Sequence, residues 1–368
     1  MNYITENTTI LNISHTNKIS KKMPVFYNPV MKLNRDISIE ILKNISNNEI
    51  SIALPLSGSG VRGIRILKEL PVEKIREIHF NDYSKTAVSK IKENLKVNKI
   101  NFKNNSKDNA KKIFIHNDDA TLFLLQSKGF DYIDIDPFGT PNPFLDASIK
   151  RISREGVLAV TATDTSALAG TYKDAGNRKY WAKTVRNYQQ HEIGLRTLIR
   201  KVQLIGAQYD KALIPIFSYS KDHYYRVFFK CTKGKKNVDE MLTEHKFLLF
   251  DADDLSFIVS NCNCKVQDGK IKDIEYAGPL WTGSLWNIEL VKKMKLYELE
   301  TIKDESLINV VGFYDIHELV SKYKLKSPRF DELISKIRKK GFKAARTHVS
   351  PYGIKSTIGL RELLTLMK

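Results

Sequence analysis

Between residues 50 and 163, short apolar runs rich in β-branched side chains alternate with stretches of helical spacing, and this alternation confines the chain to a parallel sheet wrapped by helices. The runs cover 50–56, 75–80, 112–116, 130–135 and 157–163. Parallel neighbours need long crossovers, and the intervening stretches are long enough to supply them. Val88, Ile91 and Leu95 recur at helical spacing behind Ser84, a residue suited to cap a helix N-terminus. The economical order is β-α-β-α-β.

A helix predicted over 187–206 precedes two β-rich runs, 212–219 and 224–231, joined by the polar Ser220-Lys221-Asp222-His223. So short a link predicts a hairpin that closes the sheet with an antiparallel strand. A small-molecule methyltransferase sheet ends in this way, whereas an NAD-type sheet adds a sixth parallel strand. The expected fold class is therefore α/β, a Rossmann-like sheet closed by an antiparallel hairpin, with a smaller α+β domain behind it.

At 368 residues the chain exceeds what one hydrophobic core usually serves. The polar stretch 233–239 reads as a boundary, which gives domains 1–232 and 233–368. Beyond it come short strands at 247–250, 256–260 and 271–276 and a turn at 278–283. Paired helices follow at 315–323 and 330–340, with a β-ribbon over 343–358. These last elements fit either a winged-helix arrangement or a generic α+β packing unit.

Sixty basic residues against 41 acidic give a net charge of +19, which favours a polyanionic partner, nucleic acid first, although lysine-rich surfaces also serve solubility. Cys231, Cys262 and Cys264 are too few and too odd for a disulfide scaffold and fit a reducing compartment. Cys262-Asn263-Cys264 is too short for a Cys-x-x-Cys knuckle, so no structural zinc is expected. The N-terminal segment has no leader pattern, and no segment approaches about 18 uninterrupted apolar residues. A cytoplasmic protein without a membrane segment is expected.

The chemistry gathers at the strand ends. Ser57-Gly58-Ser59-Gly60-Val61-Arg62-Gly63 follows the first strand and opens a helix, matching Gly-x-Gly-x-x-Gly. Asp82 ends the second strand, where a carboxylate can take both hydroxyls of a ribose. Asp118-Asp119-Ala120 ends the third, where an acid either accepts from an adenine amine or caps a helix. Asp136-Pro137-Phe138-Gly139 ends the fourth, setting a carboxylate beside an aromatic ring. That pair suits a flat, amine-bearing base, stacked on Phe138 with its amine on Asp136 or the Asp136-Pro137 backbone.

The order of these elements resembles a class I methyltransferase. Val25-Phe26-Tyr27-Asn28-Pro29-Val30-Met31, Asn34-Arg35-Asp36, Thr163-Asp164-Thr165, Arg178-Lys179-Tyr180 and Gly278-Pro279-Leu280-Trp281 with Gly283 resemble the tRNA (guanine-26, N2) dimethyltransferase family over most of the chain. The resemblance implies S-adenosylmethionine as cofactor and tRNA as partner. It implies that Arg35, Arg65, Asp82, Asp119 and Ala120 touch the cofactor together with the Gly58 and Gly60 loop, and that Phe26 clamps the guanine from the face opposite Phe138. Many family members carry two Cys-x-x-Cys pairs that are incomplete here.

Asp136, with the Pro137 carbonyl, is then the group that orients the exocyclic nitrogen and receives its surplus proton. A guanine stacked in tRNA must be flipped out to reach it. Lys336, Arg338, Lys339, Lys340, Lys343 and Arg346 form the densest basic cluster, suited either to tRNA phosphates or to a solvated helix face. The competing readings are an adenine amino-methyltransferase acting on DNA or RNA, whose signature wants a second proline where Phe138 stands, a catalytically silent RNA-binding protein, and an NAD-dependent oxidoreductase resting on Gly58, Gly60, Gly63 and Asp82.

Overall fold

The computed structural model describes residues 3–13, 25–45, 49–102, 112–267, 270–272 and 274–368. A hairpin of β1 (Tyr3–Glu6) and β2 (Thr9–Asn12) precedes α1 (Lys32–Asn44). Then β3 (Ile50–Leu54), β4 (Ile75–Asn81), β5 (Lys112–His116), β6 (Phe130–Ile135) and β7 (Ile152–Ala162) are connected by α2 (Val61–Glu69), α3 (Lys85–Val97), α4 (Ala120–Gln126) and α5 (Asn142–Arg151). After α6 (Thr165–Leu168), α7 (Lys173–Tyr180) and α8 (Gln190–Ala207) come β8 (Lys211–Lys221) and β9 (Tyr224–Lys233).

These strands form one seven-stranded sheet in the order β5-β4-β3-β6-β7-β9-β8. Strands β3 to β7 are mutually parallel, while β9 runs antiparallel to both β7 and β8. The hairpin expected from the polar link at Ser220–His223 thus closes the sheet. Every residue of β3 is buried, as a central strand covered on both faces requires. Each such Ile or Leu contributes about 1.5 to 3 kcal/mol on leaving water. A Cβ at Gly63 would stand 2.2 Å from the Phe80 ring, so α2 lies on β4 as closely as only glycine permits.

Where the sequence suggested a linker at 233–239, the chain forms α9 (Lys235–Leu242). Val238 and Met241 sit one turn apart and bury against the apolar cluster that fills the sheet, leaving the charged residues as the solvated face. The same cluster runs on through Trp281, Trp286, Val291 and Ile302, so the core continues past Lys233. A separate cluster joins Ile316, Leu333, Ile337, Ile354 and Leu363.

The second half contains β10 (His245–Phe250), β11 (Phe257–Ser260), β12 (Lys265–Gln267), β13 (Lys270–Lys272) and β14 (Glu275–Trp281). The single strand expected over 271–276 is therefore two, in different sheets. The turn expected at 278–283 is largely strand. Register shifts between Lys246 and Leu248, placing Gly278 and Pro279 in a bulge of β14 where a missing N–H does no harm. Helices α10 (Ile288–Lys293), α11 (Glu300–Ser306), α12 (Ile316–Tyr323), α13 (Phe330–Lys339) and α14 (Leu360–Met367) accompany a small sheet of β15 (Tyr314–Asp315), β16 (Ala344–Arg346) and β17 (Gly353–Ser356), in the order β15-β17-β16. The paired helices and the ribbon fall where the sequence placed them.

Buried charges tie the two halves together. Lys355 of β17 lies 3.0 Å from Glu192 of α8 and 3.5 Å from Glu305 of α11, and His348 Nδ1 is 2.7 Å from Glu305. Burial by itself would raise the Glu305 carboxyl, but His348, Lys355 and the Thr347 hydroxyl outweigh it and hold it down to about 2. Since this lies below the ordinary 4.5, the stability that Glu305 contributes is complete above about pH 4.5 and lost as pH falls towards 2. Thermal melts across that interval should show a steep decline that Glu305→Gln flattens. Parallel profiles for the two proteins would contradict the assignment.

Candidate active site

The strand order reverses between β3 and β6, so the chain leaves these neighbours in opposite directions and opens a crevice at their carboxyl ends. A cavity of about 760 Å³ fills it, lined among others by Phe26, Tyr27, Arg35, Gly58, Arg62, Asp82, Asp134, Asp136, Pro137, Phe138 and Tyr224. Gly58 and Gly60 take φ of +52° and +79°, values that L side chains rarely adopt. A Cβ at Gly58 would stand 3.1 Å from the Phe26 carbonyl oxygen, so the glycine keeps the loop open to a ligand. Asp82 faces this loop. Its carboxylate accepts from Gly58 N at 2.8 Å and from Ser84 N at 3.0 Å.

Asp136 follows the last residue of β6 and reaches the cavity, where Arg62 Nη2 donates to its Oδ2. Gly139, at φ +85°, turns the chain back, donating to Thr163 Oγ1 at 2.6 Å and accepting from Thr163 N at 2.9 Å. Phe138 is thereby held at the surface, 45 % exposed. Its ring meets that of Phe26 edge to face, with centroids 4.3 Å apart and planes at 79°. The two expected clamp rings therefore touch one another, and a base enters between them only when one ring turns aside.

Four of the residues expected at the cofactor lie elsewhere than the lining. Gly60 caps α2 behind the loop. Arg65 is buried with Glu6 at 2.9 Å, Asp36 at 2.7 Å and Glu69 at 2.6 Å. Asp119 accepts from Thr121 N at 2.9 Å and Leu122 N at 3.1 Å, the helix-capping alternative, and Ala120 is buried in the first turn of α4. Arg35 does line the cavity, but its Nε donates to Glu6 at 2.7 Å. Burial would raise the Glu6 carboxyl, yet Arg35, Tyr27 and Arg65 hold it down to about 2.

Three charged residues of this site went unread in the sequence. Asp134, two positions before Asp136, points to the same face of β6, as the period of a strand demands. It accepts from Tyr132 Oη at 2.7 Å and from Arg226 Nη1 and Nη2 at 3.0 and 2.7 Å, with Arg62 Nη1 3.5 Å away. Arg226 also donates to Thr161 at 2.8 Å and Ser38 at 3.1 Å, and Arg62 donates to Ser38 at 2.8 Å. Burial pushes the Asp134 carboxyl up, and Arg226 and Arg62 more than reverse this, leaving it below the ordinary range. The available signal was an acid inside the apolar run 130–135, since a buried charge demands a partner.

A mostly parallel sheet ended by an antiparallel strand, with a glycine loop after its first strand and acids after the next ones, defines a Rossmann-like methyltransferase domain. The family model for N2,N2-dimethylguanosine tRNA methyltransferase matches residues 5–368. A tRNA (guanine(26)-N(2))-dimethyltransferase of Methanobrevibacter smithii is 36% identical over 99% of this chain and 96% of its own length. A tRNA (guanine(26)-N(2)/guanine(27)-N(2))-dimethyltransferase of Aquifex aeolicus is 36% identical over 95% of this chain and 91% of its own. The solved structure of Trm1 from Pyrococcus horikoshii with S-adenosyl-L-methionine superimposes with a TM-score of 0.88 at 32% identity, each chain covered completely. The chain belongs to the N2,N2-dimethylguanosine tRNA methyltransferase family.

No helix among the described residues is long and apolar enough to cross a membrane. Nor does any group of three or more His, Cys, Asp or Glu side chains among them suit a metal ion. Cys262 Sγ donates to the Cys264 carbonyl at 3.2 Å instead.

Proposed function

We propose that Asp136 is the group that orients and deprotonates the target amine in this enzyme. The reaction is transfer of methyl groups from S-adenosylmethionine to the exocyclic N2 of guanine 26 in tRNA, carried to the dimethylated product. The observation that supports the assignment is that the Asp136 carboxylate, the exposed Phe138 ring, the Gly58 cradle and Asp82 share one cavity.

The residues present fit the cofactor: an open glycine turn, a carboxylate for the ribose at Asp82 and a guanidinium for a carboxylate at Arg35. Gly60, Arg65, Asp119 and Ala120 belong to the same proposal as residues that support the site from behind or reach it after side-chain rearrangement. When bound, S-adenosylmethionine supplies an electrophilic methyl on a sulfonium. The guanine amine is a weak nucleophile because its lone pair is delocalised into the ring. Arg62 occupies Asp136 Oδ2, which leaves Oδ1 to accept the amine N–H and take the proton released as the amine is alkylated. The Pro137 carbonyl is a second acceptor for the amine.

Flipping the guanine out of its stack costs a few kcal/mol, and stacking on Phe138 and Phe26 offsets part of this. Phe138→Ala removes one aromatic platform, about 1 to 3 kcal/mol, so kcat/KM for tRNA is expected to fall by about 5- to 150-fold. Steady-state kinetics with a tRNA transcript measure it, and an unchanged value would remove Phe138 from the role.

We assign chemistry to residues 1–232 and phosphate gripping to 233–368. The cluster Lys336, Arg338, Lys339, Lys340, Lys343 and Arg346 supports this, since the ion pairs of Arg338 and Arg346, at 3.7 Å to Asp304 and 3.3 Å to Asp331, are exposed and phosphates can displace them. We place the enzyme in the cytoplasm, where the free thiols of Cys231, Cys262 and Cys264 persist. The reading is tested by incubating purified protein with labelled cofactor and unmodified tRNA and weighing the modified nucleoside. N2,N2-dimethylguanosine is expected, and a methylated adenine or no label would overturn it.

A further inference from the structure

Beside the catalytic loop lies a group of cations with no carboxylate to balance them. Arg200 and Lys201 on α8 meet Trp181, Lys183 follows two residues after it with its ammonium over the Tyr276 ring, and no carboxylate pairs with any of the three among the described residues. Arg200 Nη1 donates to the Trp181 carbonyl at 3.0 Å, while its Nε is buried without a hydrogen-bond partner. Lys201 is 5% exposed, its Nζ 2.9 Å from the centroid of the Trp181 ring. Lys183 Nζ lies 3.8 Å from the ring centroid of Tyr276.

Such an arrangement is costly in the isolated protein. Half-buried cations forgo hydration, and like charges crowd one another. Burial, with Arg200 as neighbour, lowers the Lys201 ammonium to about 8, and burial lowers Arg200 as well. An anion at this place would relieve both penalties. Trp181 meanwhile keeps 48 % of its surface exposed, although a large apolar ring gains by being covered.

The position is fixed relative to the chemistry. Tyr180, the residue before Trp181, donates to Asp164 at 2.5 Å and shares a 3.1 Å hydrogen bond with Thr140, just beyond Asp136–Gly139. Asn142 Nδ2 donates to the Lys179 carbonyl at 2.8 Å. On the other side Lys183 and Gly278 exchange backbone hydrogen bonds of 2.9 and 2.8 Å, joining the platform to β14. Trp181 therefore stands at the seam between the two halves, directly after the residues that bond to the segment following Asp136–Gly139.

We propose that Trp181, Lys183, Arg200 and Lys201 form a second tRNA-binding surface, in which the cations hold a backbone phosphate close to the target guanine and Trp181 stacks on an unpaired neighbouring base. Aromatic rings interleaved with cations are the recurrent means of holding single-stranded nucleic acid without sequence preference. The site rests on the tRNA-methyltransferase reading and adds to it the surface that holds the strand while one nucleotide is turned out.

The test uses the full-length protein and an unmodified tRNA transcript. Trp181→Ala is expected to raise the Kd for tRNA by about tenfold, within the range for removing one base–aromatic stack. Lys183→Gln with Arg200→Gln should lower the slope of log affinity against log salt by about 0.7 for each single-strand phosphate that is no longer neutralised. Binding of tRNA should quench the wild-type tryptophan fluorescence, and Trp181→Phe should lose that response. Calorimetry with S-adenosylmethionine serves as the check on folding, because none of these residues lines the cofactor cavity. Trp181→Ala and Lys183→Gln change partly exposed side chains, so they remain informative if the buried positions tolerate no change. Wild-type affinity and salt slope in these variants, beside a wild type that methylates tRNA, would overturn the surface alone. A wild type that leaves tRNA unmethylated would instead overturn the functional reading beneath it.

Discussion

Asp136→Ala is expected to slow methyl transfer to tRNA by about 10²- to 10⁴-fold, the range for loss of a positioned general base, while S-adenosylmethionine still binds. The two outcomes separate because Asp136 stands at the end of β6 and the residues proposed for the cofactor, Gly58 and Asp82, stand on the loops after β3 and β4. The fold should tolerate the change. Asp136 is partly exposed, and Arg62, deprived of one partner, keeps Asp134 at 3.5 Å and Ser38 at 2.8 Å.

Asp136→Asn gives a finer reading. An amide oxygen can still accept from the guanine amine, yet it takes no proton, so this variant should retain orientation and lose proton acceptance. Its rate is expected to lie between those of the alanine variant and the wild type, measured in single-turnover experiments so that product release does not mask the chemical step. Full activity in both variants would end the role of this carboxylate.

What could be read from the chain follows from the range of the forces involved. The parallel strands, the closing hairpin, the glycine loop and Asp136-Pro137-Phe138-Gly139 are local patterns, in which period, turn chemistry and burial depend on near neighbours. Gly278-Pro279 misled for the same reason, since a turn-forming pair sits inside β14 only because the distant Phe247 of β10 faces its bulge. Pairings across the fold left little trace. Glu6 lies 59 residues from Arg65, and the hydrogen bonds that turn both Arg65 and Arg35 towards it depend on how the first hairpin folds over α1 and α2. Arg226 likewise reads as one more charged strand residue until β9 is inserted between β7 and β8 and carries it beneath Asp134. Asp134 itself was legible in principle, because a carboxylate amid Phe130, Tyr132, Ile133 and Ile135 has to be paired.

That pair carries the other large expected effect. Arg226 is fully buried and Asp134 nearly so, with two hydrogen bonds between them, and Thr161, Ser38 and Tyr132 complete the set. Removing Arg226 takes away both hydrogen bonds that pair the buried Asp134 and leaves it only the longer 3.5 Å contact with Arg62, so Arg226→Met should destabilise the fold by about 3 to 5 kcal/mol. Urea unfolding measures this directly. Replacing both, Asp134→Leu with Arg226→Met, should cost clearly less than the single change, since an apolar pair of similar volume leaves no orphaned charge. The acid dependence has a definite sign. Burial works against the Asp134 carboxylate, but Arg226 and Arg62 hold its proton affinity below the ordinary 3.8, so its contribution is complete above that pH and lost as pH falls through the lowered value. The double variant should lack that loss. If instead both variants unfold alike and share the wild-type acid profile, the charges beneath Asp136 do not hold the floor of the cavity, and the position of Asp136 rests on Arg62 and the Gly139–Thr163 turn.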